Sequence, residues 1–129
     1  MSPISRSKSM STFPIKFAVA SKEGMAISEH FGHAKQFRIY EASPGRCRLL
    51  EVREVSNYCL GQHGDESAMT GILQAIKDCD AVFVAKIGDG PSEKCQGIGV
   101  KAVSSYAYEA IEASLIDYAN RLAADGAGP

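Results

Sequence analysis

No stretch of this sequence carries a marked excess of charge of one sign. Fourteen lysines and arginines face fifteen aspartates and glutamates, for a formal net charge of −1. Without a basic face, neither nucleic acid nor an anionic membrane surface gains electrostatic support as a partner. Long apolar runs are missing too: none approaches the ~20 residues that span a bilayer. The Ser-rich start, MSPISRSKSMSTFP, has Arg6 and Lys8 but no apolar core segment, so it does not read as a secretory signal. Residues 1–13 are therefore expected to be a disordered leader, and the cytoplasm is the expected location. Cysteines are few and scattered. Of Cys47, Cys59, Cys79 and Cys95, no two lie closer than Cys47 and Cys59, which excludes a CxxC redox pair or zinc knuckle. The CxxxCxxC cradle of radical-SAM enzymes is absent as well. A cytosolic domain of this size keeps its thiols reduced and needs no disulfide. Phosphate-binding loops fare no better. Gly88 and Gly90 follow an apolar run, but Glu93 stands where a dinucleotide loop needs its third glycine, and GxxxxGK spacing does not occur.

What remains is the composition of one soluble domain. The chain has 129 residues, 45% of them hydrophobic and 22% charged, enough for a single core. That domain is expected over 14–122, with 123–129 (AADGAGP) as a disordered tail. IKFAVA, Ile15 to Ala20, reads as a first strand, and Ser21 to Gly24 as a turn. Phe37 to Glu41 alternates as a second strand, and Cys47 to Val55 returns as a third across the Ser43-Pro44-Gly45 turn, giving an antiparallel hairpin. Residues 56–64 (SNYCLGQHG) have no period. From Asp65, a potential N-cap, the period becomes helical, with Met69, Ile72, Leu73 and Ile76 on one face. Ala81 to Ile87 has the continuous apolar character of a central strand. Pro91 suits the first turn of a short helix ending near Gly97. A last strand over Gly99 to Val103 precedes a helix capped by Ser105, its stripe formed by Ile111, Leu115, Tyr118 and Leu122. The order β-β-β-α-β-α-β-α predicts an α/β fold: a mixed sheet of about five strands with helices packed on it. Ligands of such sheets gather beyond strand ends, where the 21–36, 56–65 and 88–92 loops are candidates to meet.

Two of the three histidines sit three apart in Ser28-Glu29-His30-Phe31-Gly32-His33. Imidazole is the commonest metal ligand, yet an isolated HxxH serves equally well as a turn cap beside an exposed ring. Cys59-x-x-x-His63 adds a thiolate and an imidazole in a glycine-bracketed loop, a pairing suited to iron or zinc. With His30 and His33 it would complete a Cys-His₃ set. The ordinary alternative is a buried, inert Cys59 beside a surface His63. Cys59 with a nearby histidine also has the makings of a nucleophile and base, but no oxyanion hole or nucleophile elbow accompanies it. Glu23, Glu29, Asp65 and Glu66 read as solvated carboxylates. Cys47 and Cys79 read as packing residues, Cys95 stays open, and Tyr106, Tyr108 and Tyr118 are expected to anchor the last helix.

The run SEHFGHAKQFRIYE, following FAVASKEG, resembles the nitrogenase iron–molybdenum cofactor biosynthesis family, which includes NifX and NafY. NYCLGQHGDE, DCDAVFVAKIGDGPSEK and SYAYEAIEASLIDY are most similar to the NifX-like C-terminal domain of NifB. The resemblance covers roughly residues 15–119. It implies a three-layer, ribonuclease H-like domain that binds iron–sulfur cofactor precursors without transforming them. The histidine of the EHFG-type motif, implicated in holding cofactor in such proteins, is His30 here. His33, Cys59 and His63 rest on the chemistry of their side chains, with His30, Cys59 and His63 as the expected metal ligands. The expected function is thus a non-enzymatic carrier for an iron–sulfur precursor (of the NifB-co or FeMo-co type) as transient cargo, with other nitrogenase maturation proteins as partners. Lys22, Lys35 and Lys86 are candidates to screen an anionic cluster. A mononuclear zinc or iron site and a metal-free interaction module are the alternatives.

Overall fold

The computed structural model describes the backbone of residues 14–55 and 66–127, and the side chains of 14–55 and 69–124. Its elements are β1 (Ile15–Val19), a 3₁₀ turn (Phe31–His33), β2 (Gln36–Ser43), β3 (Arg46–Glu54), α1 (Glu66–Ile76), β4 (Ala81–Phe83), α2 (Asp89–Gly97), β5 (Lys101–Val103) and α3 (Ile111–Ala127). They form one mixed sheet in the order β3-β2-β1-β4-β5. β1 pairs antiparallel with β2 and parallel with β4, β2 with β3 antiparallel, and β4 with β5 parallel. The expected α/β fold, with its five-stranded mixed sheet, is present.

Alternation along the strands explains the layers. Ile15, Phe17 and Val19 of β1 face one side with Tyr40, Ala42, Ala81 and Phe83. Ala18, Phe37, Ile39 and Val82 face the other. The first side is covered by Ile111, Leu115 and Ala119 of α3, with Tyr118 and Leu122 packed against it. The second is covered by Met69, Ile72 and Ile76 of α1 and by Cys95 of α2. The result is three layers, with helices on both faces. β1 and β4 are buried on both sides, and each large apolar side chain enclosed there contributes about 1.5–3 kcal/mol. On the α3 side Phe83 meets Phe17 at 4.9 Å and Tyr118 edge-on at 5.2 Å between ring centres. Among the described residues no helix is long and apolar enough to cross a membrane.

Four expectations are corrected. The last helix begins at Ile111, so Ser105 does not cap it. Residues 106–110 bond instead to the turn after β1: Ile27 N–H donates to Glu109 O at 3.0 Å, and Tyr108 N–H to Ile27 O at 2.8 Å. That pairing holds Tyr108 at φ 65°, outside any helix, with its ring 65% exposed. Tyr106 and Tyr118 pack as expected, but Tyr108 does not. At the other end, residues 123–127 continue α3, because Ala123, Ala124 and Ala127 are strong helix formers. Finally, the expected strand from Ala81 to Ile87 pairs within the sheet only to Phe83. Val84 N–H still reaches Val103 O at 3.0 Å, but Ala85 N–H donates to Glu29 O at 2.9 Å. Beyond Phe83 the chain changes partners and runs against the histidine loop. Residues 1–13 and Asp65 lie outside the described residues.

A charge cluster ties β3 to the end of α1. Arg53 Nη1 donates to Ala75 O at 2.6 Å and to Asp78 Oδ1 at 2.7 Å, and Lys16 Nζ reaches Asp78 at 3.1 Å. The Arg53 hydrogen bonds hold the Asp78 carboxyl well below the usual carboxylate range, against a smaller opposing effect of burial. Asp78 is 43% exposed, so solvent screens the pair and its worth is about 1 kcal/mol. A depressed folded pKa stabilises above the unfolded value near 4 and loses that contribution as pH falls below it. Asp78→Asn is therefore expected to cost about 1 kcal/mol at pH 7 in urea unfolding, with the gap to the parent shrinking by pH 3. Tyr108→Gly is expected to raise stability by up to about 1 kcal/mol, since the left-handed backbone is strained for tyrosine but free for glycine. An unchanged or lowered melting temperature would count against that strain.

Candidate functional site

The histidine loop leaves β1 and is held by short local contacts before it reaches the site. Gly24 takes φ 86°, its N–H donating to Ser21 Oγ at 2.7 Å. That left-handed backbone is what requires glycine here, and a Cβ would also displace the end of the Arg38 side chain, at 2.5 Å from Nη2. Glu23 is not simply solvated: its carboxylate accepts from Ser28 Oγ at 2.7 Å and Ala26 N–H at 2.8 Å. Both bonds, with that to Ser28 the larger influence, lower its pKa. Glu29 is likewise structural, accepting from the His30 N–H at 3.0 Å.

From there the loop is stitched between two strands. Glu29 N–H donates to Ala20 O at 3.3 Å, and Phe31 N–H to Lys86 O at 2.9 Å, with His30 and Lys86 forming a parallel bridge. Phe31 then turns into the α1–α2 core, 1% exposed, 6.0 Å from Phe37. The 3₁₀ turn closes as His33 N–H donates to His30 O at 3.0 Å. Three residues per turn eclipse positions i and i+3, so the His30 and His33 rings come to 5.3 Å between centres, inclined at 44°. With metal–nitrogen bonds of about 2 Å, two imidazoles on one tetrahedral metal place their ring centres about 5 Å apart. The observed centre-to-centre spacing meets that distance. His30 is half-buried and His33 exposed.

His30 and His33 line a cleft of ≈ 290 Å³ together with Phe31, Gly32, Lys86, Ile87, Gly88 and Pro91. Gly88 is the extended N-cap of α2. The 21–36 and 88–92 loops therefore do share the end of the sheet where the parallel strands β1 and β4 finish. Two larger clefts, of ≈ 360 Å³ beside Pro14, Glu41 and Arg46 and of ≈ 350 Å³ beside Asp80, Ser92 and Lys101, contain no histidine.

Cys59 and His63 lie outside the described residues, so their distance from His30 is not fixed. The last described residue before them, Val55, donates its N–H to Lys35 O at 2.9 Å, two positions beyond His33. Among the described residues no three histidines, cysteines or carboxylates gather as a metal site. His30 and His33 are the brought-together pair. Of the three lysines singled out, Lys86 lines the cleft, while Lys22 and Lys35 do not. The sequence held a signal for this, a lysine inside the otherwise apolar run AVFVAKI, but only the bridge to His30 gives it meaning.

Cys95 is resolved as a packing residue. It is fully buried between α2 and the sheet, and burial pushes its thiol up to about 11. Cys79 is buried too, its thiol raised to about 12 by burial and then by Asp78. Cys47 is half-buried, with its thiol also raised, by burial and by Glu112.

Comparison with known proteins places this architecture. The model of the family described as "Dinitrogenase iron-molybdenum cofactor" matches residues 14–121. The FeMo cofactor biosynthesis protein NifB of Herbaspirillum seropedicae is 45% identical over 101 residues, which cover 78% of this chain and 19% of that protein. NifB of Bradyrhizobium diazoefficiens is 43% identical over 107 residues, covering 83% and 21%. The chain thus spans about a fifth of the length of the curated relatives it matches. An NMR structure from Thermotoga aligns over 87% of this chain and 89% of its own, with 21% identity and a TM-score of 0.47.

Thiol reactivity checks the cysteine assignments. In the native protein, Cys79 and Cys95 are expected to resist alkylation at pH 8 and to react once the chain unfolds. Mass-spectrometric mapping of the modified sites reads this directly, and rapid native labelling of Cys95 would return it to the candidate ligands.

Proposed function

The chain belongs to the dinitrogenase iron–molybdenum cofactor family, and on that premise we propose that it is a carrier or docking domain for an iron–sulfur precursor of the nitrogenase cofactor. The observation that carries this reading is the His30–His33 pair, 5.3 Å between ring centres, on the wall of an open cleft. Imidazole nitrogen suits iron. A preassembled cluster brings its own sulfides, so the protein need supply only the ligands of its open positions. His30, fixed by the backbone bridge, is the primary ligand, with His33 beside it. Cys59 and His63, from the segment that begins after Val55, are the proposed further ligands.

The proposed role is binding without chemistry on the cargo. The loop's own carboxylates, Glu23 and Glu29, are engaged by its backbone and Ser28. They shape the site and leave acid–base work unassigned. The proposed setting is the cytoplasm, with other maturation proteins delivering and receiving the cluster. The same histidine pair also suits a single zinc or iron ion, which makes a mononuclear site the second reading.

Anaerobic titration with an isolated iron–sulfur precursor separates the two. The carrier reading expects a one-to-one complex with brown charge-transfer absorbance, weakened about tenfold or more by His30→Ala. Equal binding by His30→Ala would sink the assignment of His30. Protein purified gently with stoichiometric metal but no inorganic sulfide would support the mononuclear site instead.

A further inference from the structure

The charged and chargeable side chains that line the histidine cleft all have one sign. Lys86 is the permanent cation, His30 and His33 are the titratable groups, and no carboxylate lines the cleft among the described residues. Lys86 is also the lining residue whose backbone is most firmly tied to the site: its carbonyl accepts from Phe31 N–H at 2.9 Å, and it bridges to His30 itself. Its exposed side chain thus leaves the backbone at a fixed place beside the metal-binding pair. The N-terminal end of α2, capped by the backbone of Gly88 without a side-chain hydrogen bond, opens on the same cleft and adds partial positive charge, offset in part by the exposed carboxylate of Asp89 in its first turn.

The charge of such surroundings works against a bare divalent cation, even though the two imidazoles would ligate one. Placed between His30 and His33 it would be repelled by the ammonium of Lys86, with no carboxylate lining the cleft to offset that charge among the described residues. A cluster whose sulfides leave it with net negative charge is attracted by the same group. We infer that Lys86 is the charge-selecting residue of this site, admitting anionic metal–sulfur clusters and disfavouring free divalent metal ions. This inference rests on the carrier reading and narrows it to a class of cargo. It also explains how a site with so few fixed ligands can discriminate: by long-range charge, through a group that need not bond to the metal. Such an interaction is screened by salt, with a Debye length of about 10 Å at 0.1 M.

The test compares the parent, Lys86→Gln, Lys86→Glu and His30→Ala. Each is titrated anaerobically with the precursor cluster and, separately, with Fe²⁺ and Zn²⁺, at low and high ionic strength. Native circular dichroism confirms that each variant is folded. Lys86→Glu is expected to weaken cluster binding about tenfold at low salt and to strengthen binding of the divalent ions, with Lys86→Gln between it and the parent. Both differences should shrink at high salt. Unchanged cluster affinity in Lys86→Glu, while His30→Ala loses binding, overturns the role of Lys86 and leaves the carrier reading standing. A parent that binds Zn²⁺ tightly through His30 but takes up no cluster overturns both.

Discussion

The site depends on one backbone arrangement: the histidine loop is hydrogen-bonded on both sides, to the end of β1 and to the chain leaving β4. Glu29 bonds to Ala20 and to Ala85, Phe31 to Lys86. These are main-chain contacts, so they specify where the His30 Cα sits whatever the neighbouring side chains are. They can form only because β1 and β4 are adjacent and parallel, which brings the two carboxyl ends to the same place. The hydrophobic alternation that buries β1 and β4 on both faces is thus the remote cause of the site's geometry. Phe31 completes the arrangement. By burying its ring it drives the backbone into a tight turn and leaves the residues on either side, His30 and Gly32, at the surface of the cleft.

Much of this was legible in the sequence because the patterns are periodic. The strand alternation around Phe17 and Ile39, and the helical stripe of Ile72 and Ile76, each reflect a local period imposed by burial on one or both faces. Where tertiary pairing overrides local preference, the sequence misleads. Ser105 looks like a helix cap, yet residues 106–110 bond to the turn after β1, and the helix waits until Ile111. The run Ala81 to Ile87 is uniformly apolar to its last residues, so nothing in it marks the point at which the chain leaves the sheet for the histidine loop. At the alanine-rich end, Ala123 and Ala124 favour continuing the helix, which runs to Ala127.

The site divides in the same way. His30 stands out as a candidate from its motif, since a histidine before Phe-Gly at a strand end has both a scaffold and a resemblance to point to it. The proximity of His33 was not, because a spacing of three carries meaning only in a helical turn, and a Gly-containing loop need not form one. Lys86 was one of three surface lysines until the register singled it out. Cys95 was undecidable from its position in a helix that opens at the site, because the question was which face of α2 it occupies. Burial answers that: the thiol points into the core beneath, away from the cleft.

The family match covers residues 14–121, nearly all of the described fold, while the longer relatives devote only about a fifth of their length to it. What the similar segments share is therefore a whole three-layer unit and not an isolated motif, as expected if the loop geometry cannot exist without the sheet. The two histidines differ within that unit. His30 is half-buried and tethered through its backbone to β4, whereas His33 is exposed at the end of a single 3₁₀ turn. For the proposed carrier role this asymmetry would be a physical advantage. A rigid first ligand would fix where the cargo binds. A second on a short turn, which has few hydrogen bonds to break, would let the cargo leave without disturbing the core.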